Sequence, residues 1–333
     1  MSSIQRTQLQ AIFFSLLLGT SIAAQAEDTP APAAEPAQVP APVERQVLGE
    51  RSESEAKALA RQLPTSEQQM LQAGGDEFLA LWKPANNPDP QGVVIIVPGA
   101  GETADWPTAV APLRNKLPDA AWGTLSLTLP DLLSDASQPR APDPTPAPPK
   151  AQSSQTPPDA NAPIEQAAGG EASEAAAQNN TAEKPFDTDA ERIFARLDAA
   201  IAFAQQQKAR DIVLLGHGTG GYWAARYLSE RQPSRAQRLL MVAGKTPEQA
   251  PEGLDQLAPA LKIPVGDLYY ATRPALRDAA KARVQASKRV AGSQYAQVEL
   301  TALPGDKAAQ QEQLYRRVRG WLSPEQNLDK PDF

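Results

Sequence analysis

The chain of 333 residues has no cysteine and a single histidine, His217. Without cysteine there is no disulfide framework, no lipoprotein anchor and no thiolate metal site. One histidine leaves a transition-metal centre without its usual ligands, and no Asp-rich loop of EF-hand spacing offers calcium a cage. No metal and no other cofactor is expected. Positive charge is in short supply as well: 32 Lys and Arg stand against 39 Asp and Glu, a net charge of −7. That balance speaks against a nucleic acid or an anionic membrane surface as the main partner. Long apolar runs are missing, apart from residues 11–24, and that run is too short to span a bilayer comfortably. It follows Arg6 and leads to Ala24-Gln25-Ala26, which fits an A-x-A cleavage site. The expectation is a signal peptide over residues 1–26 cleaved after Ala26, a periplasmic location, and no transmembrane segment in the mature chain.

What is plentiful is Pro, Ala and acidic sequence, in two stretches. Residues 27–48 cannot bury enough apolar surface to offset ordering entropy, so they read as a disordered linker. From about 134 to 184 the chain again has almost no large apolar residues. A structureless stretch of this length inside a domain reads as a disordered insertion, with a lid, a protein-partner segment and an inert loop all open as roles. The folded part is expected over 49–325, followed by a tail at 326–333.

Within that part the apolar pattern alternates between strand and helix. A short helix is expected from residue 52 to 62, then a β-hairpin over 69–73 and 77–82 around Gly74-Gly75. Residues 93–97 are a continuous β-branched run, as in a strand buried on both faces of a parallel sheet. Further strands are expected at 122–129, 211–217, 239–243, 264–270 and 297–303. Helices are expected at about 106–117, around 193–203, and at 222–228, 275–290 and 310–322. The fold class that follows is α/β: a mostly parallel central sheet with helices on both faces and an antiparallel hairpin at its start.

The chemistry-bearing motif is Gly216-His217-Gly218-Thr219-Gly220-Gly221, after the apolar run that begins at Asp211. Strand, glycine turn and helix in that order make a nucleophile elbow, G-x-S-x-G, with Gly218 where serine belongs. A Ser-His-acid triad needs a hydroxyl to attack and a separate histidine to take its proton. Gly216-x-Gly218-x-x-Gly221 also fits a dinucleotide fingerprint. Several strands precede it, however, and Gly244-Lys245 stands where an acid for the ribose should follow.

The runs at 93–101, 129–131, 214–221 and 264–270 together resemble the α/β-hydrolase fold over about 65–325, the insertion excluded. More narrowly, the chain is similar to an exported proteobacterial hydrolase-like family of unknown function. The resemblance implies fold and envelope location, and no substrate. It implies that Gly99-Ala100-Gly101 supplies one oxyanion N–H and Thr219 the other, and that Gly218 holds the nucleophile position. The acid position falls at Ala271-Thr272-Arg273-Pro274, without a carboxylate. The histidine position falls at Pro304-Gly305-Asp306-Lys307, without a histidine.

The candidate ligand pocket is therefore Gly99, Ala100, Gly101, Glu102, Asp131, His217, Gly218 and Thr219, with no catalytic residue assigned. His217 has a bland reading, as the structural neighbour of the nucleophile position, and a sharper one as a base for Thr219 or water. Glu102, Asp105 and Asp131 could form a carboxylate pair, or could simply cap helices and hold loops. Trp106 and Trp223 are the tryptophans nearest the glycine loops. The functional expectation is a catalytically degenerate protein that binds a small-molecule or envelope ligand. The alternatives are a weak or non-standard hydrolase of an envelope ester, amide or glycoside, and an interaction protein working through residues 134–184.

Overall fold

The computed structural model describes residues 49–132 and 185–323. The signal peptide, the linker, the insertion at 134–184 and the tail expected from the sequence lie outside the described residues.

Among the described residues eight strands form one sheet. They are β1 (Gln68–Ala73), β2 (Asp76–Lys83), β3 (Gly92–Val97), β4 (Trp122–Leu127), β5 (Asp211–His217), β6 (Ala236–Val242), β7 (Val265–Tyr270) and β8 (Tyr295–Leu300). Their order across the sheet is β1-β2-β4-β3-β5-β6-β7-β8. Only β2 runs against the rest: it is antiparallel to both β1 and β4, and all other pairs are parallel. The helices are α1 (Arg51–Gln62), α2 (Val110–Lys116), α3 (Pro185–Gln206), α4 (Thr219–Arg231), α5 (Leu254–Ala260), α6 (Pro274–Ser287) and α7 (Lys307–Leu322). Among the described residues, no helix is long and apolar enough to cross a membrane.

The β-branched run of β3 is buried along its whole length because the sheet has a core on each face. Val93, Ile95 and Val97 pack with α3, α4 and α5 through Phe194, Leu197, Tyr222, Trp223 and Leu257. Val94 and Ile96 face the other way, to Val110 and Leu113 of α2 and Leu314, Val318 and Leu322 of α7. The two-residue period of a strand sends alternate side chains to opposite faces, so one apolar run serves both cores.

Some boundaries differ from expectation. The helix expected from residue 106 starts only at Val110. Residues 104–109 are turns, with Trp106 N–H on the Thr103 carbonyl and Ala111 N–H on the Trp106 carbonyl. Asp105 is held in this bend by Arg114, which donates to it at 2.8 and 2.9 Å. The strand expected to reach 129 ends at Leu127, and Thr128 turns both its N–H and its hydroxyl onto the Leu79 carbonyl. Helix α5 was not expected, because Pro259 lies in its last turn and seven residues give too little periodicity.

Candidate functional site

The parallel order brings the carboxyl ends of β3 and β5 side by side, with Val97 in register with Gly216. Ligands bind at this edge in open α/β sheets. After β5 the chain turns sharply through Gly218, at φ +56° and ψ −124°, into α4. This is a region that essentially only glycine adopts without strain. The turn is fixed from both sides. Gly218 N–H donates to the Val242 carbonyl at 3.0 Å, and its own carbonyl accepts from Gly221 and Lys245. A Cβ added at Gly218 would meet nothing closer than Gly99 Cα, at 3.8 Å. The elbow thus has the shape and the space for a side chain, and lacks the side chain.

The flanking glycines serve packing. A Cβ at Gly216 would sit 2.4 Å from Gly221 Cα, and one at Gly220 would sit 2.1 Å from the Val97 carbonyl oxygen. Helix α4 can therefore lie directly on β3 and β5 only with bare backbone at these positions. This accounts for the glycine spacing without a nucleotide, and the strand order gives the dinucleotide reading no support.

The loop after β3 faces the elbow, and two of its donors are already engaged. Gly99 N–H donates to Glu102 Oε2 at 2.8 Å, and Ala100 N–H donates to Thr219 Oγ1 at 2.6 Å. The same Glu102 oxygen lies 2.7 Å from His217 Nδ1. Both side chains are mostly buried. An ionised carboxylate can only accept, so Nδ1 is the donor in this contact. The sequence places Glu102, His217 and Thr219 in the pocket. It does not pair the first two, and the Thr219 hydroxyl, which it offers as a nucleophile for His217, instead accepts Ala100 N–H.

Beside this cluster is a cavity of about 240 Å³ lined by Gly99, Ala100, Gly101, Glu102, Asp131 and Trp223, among others. Trp106 is elsewhere, packed against the α2–α7 side of the sheet. Asp131 acts on α1: it accepts Ser52 N–H at 3.1 Å and faces Arg51 at 3.6 Å. An acid at the first turn of a helix offsets its dipole. Arg51 also approaches Gly101, so α1 edges the cavity, a neighbour that nothing local in the sequence announces.

The acid in the strand before the triad-acid position and the acid at the triad-histidine position are both structural. Asp267 is fully buried in β7, in a bidentate pair with Arg283 at 2.9 and 3.1 Å, and it also accepts from Tyr295 and Gln297. Burial first, then the charge of Asp267, pushes the Tyr295 hydroxyl far above its ordinary range. Asp306, in the loop where a triad histidine would sit, caps α7 by accepting Ala309 N–H at 2.9 Å. Among the described residues, no group of three or more His, Asp or Glu is placed to hold a metal ion.

The strand order with its single reversed strand β2, and an elbow between β5 and α4 at the carboxyl edge, define an α/β-hydrolase-fold protein. An esterase of Pyrococcus furiosus has the same fold at TM-score 0.50 and 11% identity, over 77% of this chain and 89% of that one. Within that class the chain belongs to the family described as protein of unknown function DUF3530, which matches residues 7–324. Other similar structures are a dienelactone hydrolase from Anabaena variabilis (15% identity, TM-score 0.49, 78% and 98% coverage) and Est1E from Butyrivibrio proteoclasticus (11%, 0.47, 77% and 99%). No curated protein matches the sequence.

Proposed function

We propose that this is an exported, periplasmic pseudohydrolase, whose elbow pocket binds a carbonyl-bearing envelope ligand without cleaving it. The N-terminal pattern of Arg6, an apolar run and Ala24-Gln25-Ala26 supports export, with a linker at 27–48 and a domain at 49–325 interrupted at 134–184. The observation that carries the reading is the elbow itself. It keeps the strained turn of a nucleophile site at Gly218, has no hydroxyl there, and has its neighbouring donors bonded to Thr219 and Glu102. Without a nucleophile no acyl intermediate forms. What remains is the first turn of α4 with its N–H groups, which suits a partial negative charge. Glu102 beside it disfavours a full carboxylate, so a neutral carbonyl fits best.

The test is hydrolysis of a short-chain p-nitrophenyl ester by the purified protein and by Gly218→Trp, which fills the space at the elbow. No difference above background is expected. Turnover by the parent that vanishes in the folded variant would refute the binding reading. A second reading, weak hydrolysis through water activated by His217, is favoured by the 2.7 Å contact with Glu102. It requires turnover that disappears in Glu102→Gln.

A further inference from the structure

Helix α1 lines two cavities. Through Arg51, Ser52 and Glu55 it edges the one at the elbow, and through Ala56, Lys57 and Ala60 it walls another of about 540 Å³. The second cavity is closed by the β1–β2 turn, by Phe78 and Leu79 of β2, and by α3. Two arginines one helical turn apart on α3, Arg192 and Arg196, reach it.

The two guanidinium groups are in different circumstances. Arg192 is paired with Glu50, and Asp189 lies 3.7 Å away. Arg196 is only 8% exposed and has no carboxylate partner among the described residues. Among the described residues its polar contact is one hydrogen bond from Nη1 to the Thr128 carbonyl, at 2.6 Å, and its guanidinium lies 5.0 Å from the Phe78 ring centroid. A guanidinium has five N–H donors, so most of its capacity is unused. Burial, and then the nearby charge of Arg192, lowers its pKa to about 10, against weaker opposing pulls from Glu50, Asp76 and Glu53. It is still a cation at neutral pH. A buried charge without a counter-ion costs several kcal/mol, and an apolar side chain would cover Phe78 without that cost. Among the described residues that line the cavity, no carboxylate comes into ion-pair contact with Arg196.

We propose that this cavity binds a small organic monocarboxylate with an apolar body, its carboxylate pairing with Arg196. Planar guanidinium and carboxylate match in a two-bond fork. Ala56, Phe78 and Leu79 offer the hydrocarbon part a dry wall. The rim sets the charge limit. Glu53, Asp76 and Glu77 stand exposed around it, as does Lys57, which lies 3.8 Å from Glu53. A single carboxylate deep in the cavity is tolerated there, and a dianion such as phosphate is repelled. The site is separate from Gly218 and does not depend on the reading of the elbow.

The experiment is a thermal-shift and calorimetric titration of the purified full chain with hexanoate and, at matched ionic strength, with inorganic phosphate. Hexanoate is expected to raise the melting temperature in a saturable way and phosphate to leave it unchanged. Arg196→Gln, which keeps a donor for Thr128 but removes the charge, should lose at least tenfold in hexanoate affinity. Ala60→Trp, placed on the exposed side of α1 to block the cavity, should abolish binding with the fold intact, and decides the matter should Arg196→Gln not fold. The proposal is overturned by no hexanoate response in the parent chain, by an equal response to phosphate, or by hexanoate binding that survives in Ala60→Trp or in folded Arg196→Gln.

Discussion

Gly218→Ser restores the residue that the elbow lacks, and the structure says what that does. The backbone at φ +56° and ψ −124° is unfavourable for any residue with a Cβ. Holding it there costs about 1–3 kcal/mol. No collision adds to this, since the nearest heavy atom to a new Cβ is 3.8 Å away. For a domain of this size the loss lowers the melting temperature by about 2–12 °C. Gly218→Ala should lose the same amount to within about 0.5 kcal/mol, because the strain belongs to the backbone and not to the hydroxyl. Activity should nevertheless not appear. The only histidine is the adjacent His217, bonded to Glu102, and the Ala100 donor is occupied by Thr219. A positioned base contributes about 10²–10⁴-fold, and one oxyanion donor about 10²–10³-fold. The assays are thermal denaturation of both variants, and p-nitrophenyl acetate turnover with fluorophosphonate labelling of Gly218→Ser. Labelling accompanied by turnover well above the parent would show that the rest of the machinery is intact, and the pseudohydrolase reading would fail. An unchanged melting temperature in Gly218→Ala would refute the strain argument.

Three further outcomes follow from the same contacts. Thr219→Val releases Ala100 N–H, which is exposed enough for water to replace the hydroxyl, so chemical denaturation should register a loss of no more than about 1 kcal/mol and no esterase activity should emerge. Asp267→Asn leaves Arg283 buried without its counter-ion and should cost about 3–5 kcal/mol in urea unfolding; a loss under 1 kcal/mol would show that the pair is not what holds β7 to α6. Burial alone would raise the Glu67 carboxyl, but Lys83 and Arg114 outweigh it and hold it below its ordinary value of 4.5. The folded-state value is the depressed one, so its stabilisation is complete above pH 4.5 and is lost as pH falls further. The stability gap between the parent chain and Glu67→Gln should therefore close on acidification below that pH, and a gap independent of pH would contradict the pairing.

The fold was largely legible in the sequence because its signals are local. A β-branched run such as residues 93–97 suits a strand buried on both faces, whatever surrounds it. The glycines at 216, 218 and 220 mark a turn whose shape follows from missing side chains. The absence of a serine at 218, and of a second histidine anywhere, is a property of composition that no folding can repair. The sequence alone therefore determined the sheet, the elbow and the emptiness of the elbow. The contacts that give the site its character join distant residues: Glu102 and His217, Ala100 and Thr219, Asp131 and the first turn of α1. They exist because β3 pairs with β5 while β4 lies on the far side of β3, an order that no local pattern encodes. The same holds for Arg196, which reads on paper as one more polar position of an amphipathic helix. Only the packing of α3 beside α1 and β2 buries its charge and leaves a cavity in front of it, because burial is a property of neighbours and the neighbours come from three separate parts of the chain.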